Sequence, residues 1–303
     1  MWIFTKNKKA FNYNLVFFLL IPFFFSPSGK SQTSINDLEY LQYLISNQKY
    51  QDCLSIIQDL KRQHIHPSIA DSLYFLEGLC YFYLENLELS TKALQNIHIH
   101  SSLYPTAQLM GIFNSIYLND SLSVLNKFKV LDDFFSNIQS KELFLLYLLE
   151  KQTFYLLYGG IENAYKINVF ISNQGNSFVK EISDSLLKVY ETTRIKNKNP
   201  FIGAILSTFI PGLGKIYAGK KAEGFVAMIS NFLYIGSAFE LLIKLGPQNA
   251  YFITVSTIAG IFYIGNIEGS YFAVIRRKKE TYAILHQKLF NVLFIPFRYY
   301  LFK

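Results

Sequence analysis

Charged residues are scarce in this chain, and so are the residue patterns that carry catalysis. Lys, Arg, Asp and Glu make up 17% of its 303 residues, against roughly 25% in soluble domains. With only two cysteines, Cys53 and Cys80, a disulfide scaffold or a cysteine-rich metal centre is excluded. No Gly-x-Ser-x-Gly, His-Glu-x-x-His or paired Cys-x-x-Cys occurs, so the common hydrolase, zinc-peptidase and redox signatures are missing. The acidic residues are spread over solvated helix faces. We therefore expect no catalytic residue, no cofactor, no metal site and no enzymatic activity. Strand-like alternation is also absent, which argues against a β fold.

What is abundant is apolar surface: 51% of residues are hydrophobic and 17% aromatic. The formal net charge of +8 resolves into three parts. Residues 1–30 hold four Lys and no acid, 31–193 hold 11 basic and 17 acidic residues, and 194–303 hold 14 basic and 4 acidic. A nucleic-acid binder needs its positive charge on a solvated face. Here that charge brackets hydrophobic segments, so nucleic acid is not expected as a partner and a lipid bilayer is.

Lys6, Lys8 and Lys9 precede an apolar run from Leu15 to Phe25, followed by Ser26, Ser28 and Gly29. The run is shorter than the ~20 residues of a spanning helix, and the order of basic, apolar and small residues is that of a signal peptide over 1–31. An uncleaved signal anchor is the alternative, and either one exports the chain beyond residue 31. Export would place Cys53 and Cys80 in an oxidising compartment, where they either pair or stay as buried thiols.

From Asn36 to Arg194 the apolar spacing is helical. Leu38, Leu41 and Ile45 keep one such stripe, and Cys53, Ile56, Ile57 and Leu60 keep another. His64-Ile65-His66 returns as His98-Ile99-His100 at a shift of 34 residues, and Leu60 then falls on Leu94. That is the period of tetratricopeptide repeats. The fold class expected is all-α: three to four degenerate tetratricopeptide-like repeats in a domain over 32–195, with Leu76, Gly78 and Tyr81 at the large-small-aromatic positions of a first helix and Ala93 and Leu94 in the second helix where small and large residues interlock, then an extra helix from Asn176 to Thr193. Arrays of this kind leave a concave surface that holds a protein or peptide.

Beyond Pro200 lie three apolar stretches: Phe201 to Gly214, Phe225 to Ile243 and Tyr251 to Ile275, and they predict a helical membrane domain of two to three spans. Loop charge favours three crossings; a re-entrant first stretch, 201–217, is the alternative. Two motifs stand out within this domain. Pro211, Gly212, Gly214, Lys215, Tyr217 and Gly219, with Gly224 after them, suit a tight turn at the membrane edge. Gly265 and Gly269 form a small-xxx-small helix-packing face, with Asn266 and Glu268 as polar residues needing partners, for which Asn231 is available. Residues 280–303 read as an amphipathic helix at the bilayer interface.

The turn motif resembles the membrane hairpin of TM-two-like domains, whose mark is Pro-Gly-x-Gly-x-x-Tyr-x-Gly followed by an acidic residue and Gly. Both motifs together are similar to exported bacterial repeat proteins, common in the Bacteroidetes, that end in such a hairpin; the likeness covers 199–279. Glu268 departs from the aromatic usual there. The resemblance implies a bacterial inner-membrane protein with a periplasmic repeat domain, working in envelope biogenesis or protein interaction. The function expected is an anchored scaffold for a protein or peptide, which could also contact another membrane protein or form a homo-oligomer. The alternative is a subunit of an oligomeric transport or channel complex, with Asn231, Asn266 and Glu268 along a polar path.

Overall fold

The computed structural model describes residues 32–62, 67–137, 141–193 and 198–301. The signal segment and the first His-Ile-His tripeptide lie outside them. The described residues form thirteen α-helices and no strand, and the chain divides into two units.

The first unit holds residues up to Tyr190 together with Lys288–Lys303. Its helices pair as hairpins: α1 (Gln32–Ser46) with α2 (Tyr50–Arg62), α3 (Pro67–Tyr83) with α4 (Leu87–Leu94), α5 (Tyr104–Tyr117) with α6 (Ser121–Asn137), and α7 (Lys141–Tyr158) with α8 (Ile161–Gln174). The single helix α9 (Ser177–Thr193) comes next, matching the extra helix expected from sequence. Successive hairpins start at 32, 67, 104 and 141, at steps of 35, 37 and 37 residues. The shift of 34 read from the histidines is thus short by one to three residues. Between the second and third hairpins the nine-residue connection Gln95–Leu103 contributes to the longer step.

All four hairpins turn in the same way. The residue at φ near +60°, or at +96° for the glycine, is Gln48, Glu85, Asn119 or Gly159, and the next helix begins two residues later in every case. The next amide along the chain donates to a carbonyl five residues back: Lys49 to Leu44 at 2.8 Å, and Asn86 to Tyr81, Asp120 to Ser115 and Gly160 to Tyr155 at 2.9 Å. This left-handed closure satisfies carbonyls that the end of a helix would leave bare. Asn86 and Asp120 then cap the incoming helix through Leu89 N at 3.3 Å and Ser123 N at 3.1 Å.

Within the hairpins, small residues meet large ones. A Cβ on Gly78 would lie 2.7 Å from the Leu94 side chain, and one on Gly111 3.0 Å from Lys127. Ser90 donates to the Gly78 carbonyl at 2.8 Å, and Asn114 of the next hairpin donates to Ser90 at 3.0 Å. Leu41, Ile57, Leu73, Leu109, Met110 and Ile112 are fully buried between the helices, each contributing roughly 1.5–3 kcal/mol by leaving water. Cys53 and Cys80 are buried and free.

The second unit runs from Glu191 to Gln287. It contains α10 (Pro200–Phe209), α11 (Leu213–Tyr217), α12 (Lys221–Leu245) and the first part of α13 (Ala250–Leu301). Helices α12 and α13 are long and apolar enough to cross a membrane. Only 17% and 11% of their apolar windows are buried; the core helix of a soluble protein would be mostly covered. Phe225, Val226, Ile229, Phe232, Leu233, Ile253, Ile261 and Ile264 all stand exposed.

Two expectations change here. The first apolar stretch does not supply a third crossing, because α10 has ten residues, about 15 Å of helix against a hydrocarbon core of roughly 30 Å. Nor does 280–303 form a separate interfacial helix. It continues α13, and Leu289, Phe290, Leu293 and Phe297 are buried within the first unit. The aromatic face read as lipid-seeking finds protein partners instead.

Candidate functional site

Two places in the chain gather residues that packing of ordinary helices does not require: the turn motif of the second unit, and the tail-bearing face of the first.

The turn motif closes a loop on itself. Asn199 caps α10 by accepting from Phe201 N at 2.9 Å, and Pro200 sits at the first helical position, where a missing N–H costs nothing. Ile210 caps the end of α10, and Gly212 at φ +88° caps the start of α11. At its far end the Tyr217 hydroxyl accepts from Asn199 N at 3.3 Å, and Lys198 donates to the Tyr217 carbonyl while its ammonium lies 5.0 Å from the Tyr217 ring. The chain therefore enters and leaves at one level.

Glycine is required at three points of this loop because backbone meets backbone. A Cβ on Gly214 would fall 1.8 Å from the Gly203 carbonyl oxygen, one on Gly212 2.1 Å from the Gly224 oxygen, and one on Gly224 2.7 Å from the Gly212 oxygen. Polar groups are satisfied in the same place. Ser207 accepts from Gly214 N at 2.9 Å and shares a 2.7 Å hydrogen bond with Ser270, which donates to the Asn266 carbonyl at 2.8 Å. Tyr263 donates to the Thr208 carbonyl at the tip of α10. The backbone outside the helices is thus satisfied by protein groups. Ala218, Ala273 and Val274 pack beneath the loop with Tyr217. At its outer edge Lys220 pairs with Glu223 at 3.3 Å and Glu280 at 3.5 Å, and Gly219 turns at φ +93° beside Arg277.

Gly212, Gly214, Tyr217, Gly219 and Gly224 thus lie in or against this loop, and Pro211 is buried within it; Lys215 reaches α13 beside Gly269. The second motif does not behave as expected. A Cβ on Gly265 would meet nothing within 4 Å, and one on Gly269 meets only the Lys215 side chain at 3.6 Å. Among the described residues no helix uses these glycines for close approach; α12 and α13 meet through bulkier groups, with the Tyr234 and Phe262 rings stacked at 4.6 Å. Glu268 is exposed. Asn231 and Asn266 are buried but not bonded to one another. Asn231 donates to the Ala227 carbonyl at 2.8 Å, and its oxygen and both polar atoms of Asn266 have no partner among the described residues.

The first unit carries its own unusual groups. Glu150 on α7 is fully buried, neither oxygen has a hydrogen-bond partner among the described residues, and burial pushes its carboxyl well above the usual range. Hydrogen bonding to Cys53 and burial push the Cys80 thiol up, and burial pulls the Lys127 ammonium down although it donates to Ser123 at 2.7 Å. Tyr147 donates to Asp132 at 2.5 Å, and Lys151 binds the same carboxylate at 2.7 Å. His98 and His100 line a shallow cavity of about 350 Å³ with Asp71, which accepts from His98 N at 3.0 Å.

Sequence reasoning missed Gly203, Ser207 and Ser270. Their signal was faint: a small residue every fourth position on α10, opposite a serine 63 residues away. Compared with models of protein families, with curated proteins and with solved structures, the chain matches none of them.

Proposed function

We propose that this chain is a scaffold anchored in a bacterial inner membrane, whose exported tetratricopeptide-like repeats bind a protein or peptide partner in envelope biogenesis. It performs no catalysis in this reading. The observation that carries it is the continuity of four stacked helix hairpins with two long apolar helices that stay uncovered: the array offers surface to a partner, and the hairpin offers surface to lipid. Photo-crosslinking in intact cells tests this. A photoreactive residue at Leu122, 72% exposed on the array, should capture one defined protein. Recovery of the uncrosslinked chain alone, from this and from neighbouring array positions, would remove the scaffold reading.

The side on which the repeats lie has a second reading, favoured by the Asn199–Tyr217 closure. With α10 and α11 re-entrant, Lys215, Lys220, Lys221 and the run Arg276–Lys279 flank the feet of the hairpin, and Lys244 alone flanks its far loop. Such a collar favours the cytoplasm, whereas the N-terminal apolar run favours export. An exposed cysteine at Glu88→Cys in spheroplasts separates them: reaction with an impermeant reagent supports export, and protection until lysis supports the cytoplasm.

The transport reading draws on the side-chain oxygen of Asn231 and both polar atoms of Asn266, which have no partner among the described residues. It requires an oligomer, because two crossings enclose no path.

A further inference from the structure

The strongest unexplained feature is that the array already holds a helix. Residues 288–301, the end of α13, lie within the first unit. Phe113 of α5 is the centre of the contact, with its ring 3.7 Å from that of Phe297, 4.3 Å from Phe290 and 6.0 Å from Phe294. Phe82 of α3 reaches Phe297 at 5.7 Å, Tyr117 reaches Phe290 at 4.7 Å, and Phe178 of α9 reaches Tyr299 at 5.1 Å. Phe82 and Phe113 sit on the first helices of consecutive hairpins. The tail lies across both, as a peptide lies across a repeat array.

The chemistry of the tail is well defined. Its buried residues Leu289, Phe290, Leu293 and Phe297 form one helical stripe. Residues 288–303 carry Lys288, Arg298 and Lys303 and no acid. The array over 31–193 has 17 acidic and 11 basic residues, so charge complements the aromatic contact. Pro296 lies inside this last stretch, where it removes one helical hydrogen bond and weakens the turn that carries Phe297.

We propose that the face built by Phe82 and Phe113 is a receptor for basic, aromatic amphipathic helices, and that residues 288–301 are its resident ligand, which a partner helix of the same chemistry must displace. This rests on the scaffold reading above and names the partner class for it. The tail then acts as an internal competitor: the array is closed while the tail is docked and open once it leaves.

A synthetic peptide of residues 286–303 with a fluorescent label is the probe, and the full-length chain in detergent micelles is the receptor. Phe290→Asp with Phe297→Asp releases the tail, and this variant should bind the peptide at least tenfold more tightly than the unchanged chain. The peptide with Lys288, Arg298 and Lys303 changed to Glu should bind at least tenfold more weakly. A second variant guards against misfolding: Tyr117→Cys with Phe290→Cys, oxidised, locks the tail in place and should abolish peptide binding, with reduction restoring it. Equal affinity for the locked and released chains overturns the proposal, as does release without any gain in binding by a chain of unchanged helicity. If the released chain binds the peptide but no cellular protein is captured at Leu122 or at neighbouring array positions, the receptor assignment stands and the scaffold reading falls. If a protein is captured equally by locked and unlocked chains, the scaffold reading stands and this one falls.

Discussion

The backbone amide of Asn199 donates to the phenolic oxygen of Tyr217 at 3.3 Å. Eighteen residues of chain thus return to their starting level, and the loop they form cannot count as a crossing. If α12 and α13, the two helices long and apolar enough to cross a membrane, both do so, the loop between them lies on the side opposite their other ends. Single cysteines at Glu88, Lys278 and Gln248 test this in sealed vesicles. Labels at 88 and 278 should share one side, and the label at 248, in the far loop, should lie on the other. If 278 labels with 248, the α13 crossing and the docked tail are both refuted.

The glycines of the loop should be far more sensitive than those of α13. Gly214→Ala places a Cβ 1.8 Å from the Gly203 oxygen, and Gly212→Ala places one 2.1 Å from the Gly224 oxygen at a φ of +88°. Overpacking costs about 1–3 kcal/mol where side chains can give way, and rigid backbone cannot, so each change should cost about 3 kcal/mol or more. Gly265→Leu meets open space and should leave the melting temperature in detergent within a degree or two. A large loss at 265 would restore the small-xxx-small packing face.

Individual residues show how much of this was legible in the sequence. Helix periodicity in the array is strong because each hairpin buries one stripe, so Leu41, Ile57 and Leu94 announce themselves. The repeat length was not legible, because the left-handed turn that defines it usually carries Gly and here carries Gln48, Glu85 and Asn119, with glycine only at 159. The motif around Gly212 was readable because backbone contact demands glycine wherever it occurs. The tail was misread because an aromatic stripe with basic neighbours fits a bilayer surface and a protein groove equally well; only the presence of Phe113 opposite it separates the two.

Those turns supply a stability prediction. Left-handed backbone costs an ordinary residue roughly 1–2 kcal/mol relative to glycine, partly offset by the chain entropy that glycine loses. Gln48→Gly and Glu85→Gly should therefore each stabilise the array by about 0.5–1 kcal/mol, read as a higher denaturation midpoint by circular dichroism. Asn119→Gly should gain less, since Asn tolerates this region better. A loss at both 48 and 85 would show that their side chains hold the turn by contacts that outweigh the backbone strain.

Glu150 gives the pH dependence. Its carboxyl is fully buried and neither oxygen has a partner among the described residues, so the ionised form has nothing to replace water and the folded state keeps the proton. The carboxyl is thereby held well above its ordinary value. In the unfolded chain the same group ionises near pH ~4.3. Between that pH and the raised folded value the native state binds one more proton than the unfolded state, so stability falls as pH rises, by about 1.4 kcal/mol per unit for this group alone. Below the unfolded value both states are protonated and the penalty vanishes. Glu150→Gln keeps the shape and removes the proton. The variant should match the unchanged chain near pH ~4 and exceed it increasingly as pH rises from there, in chemical denaturation of the full chain in detergent followed by circular dichroism. Other titrating groups act equally in both proteins and cancel in the difference. Parallel curves across that range would mean that Glu150 ionises in the folded chain, and so that its carboxylate has water or a polar partner after all.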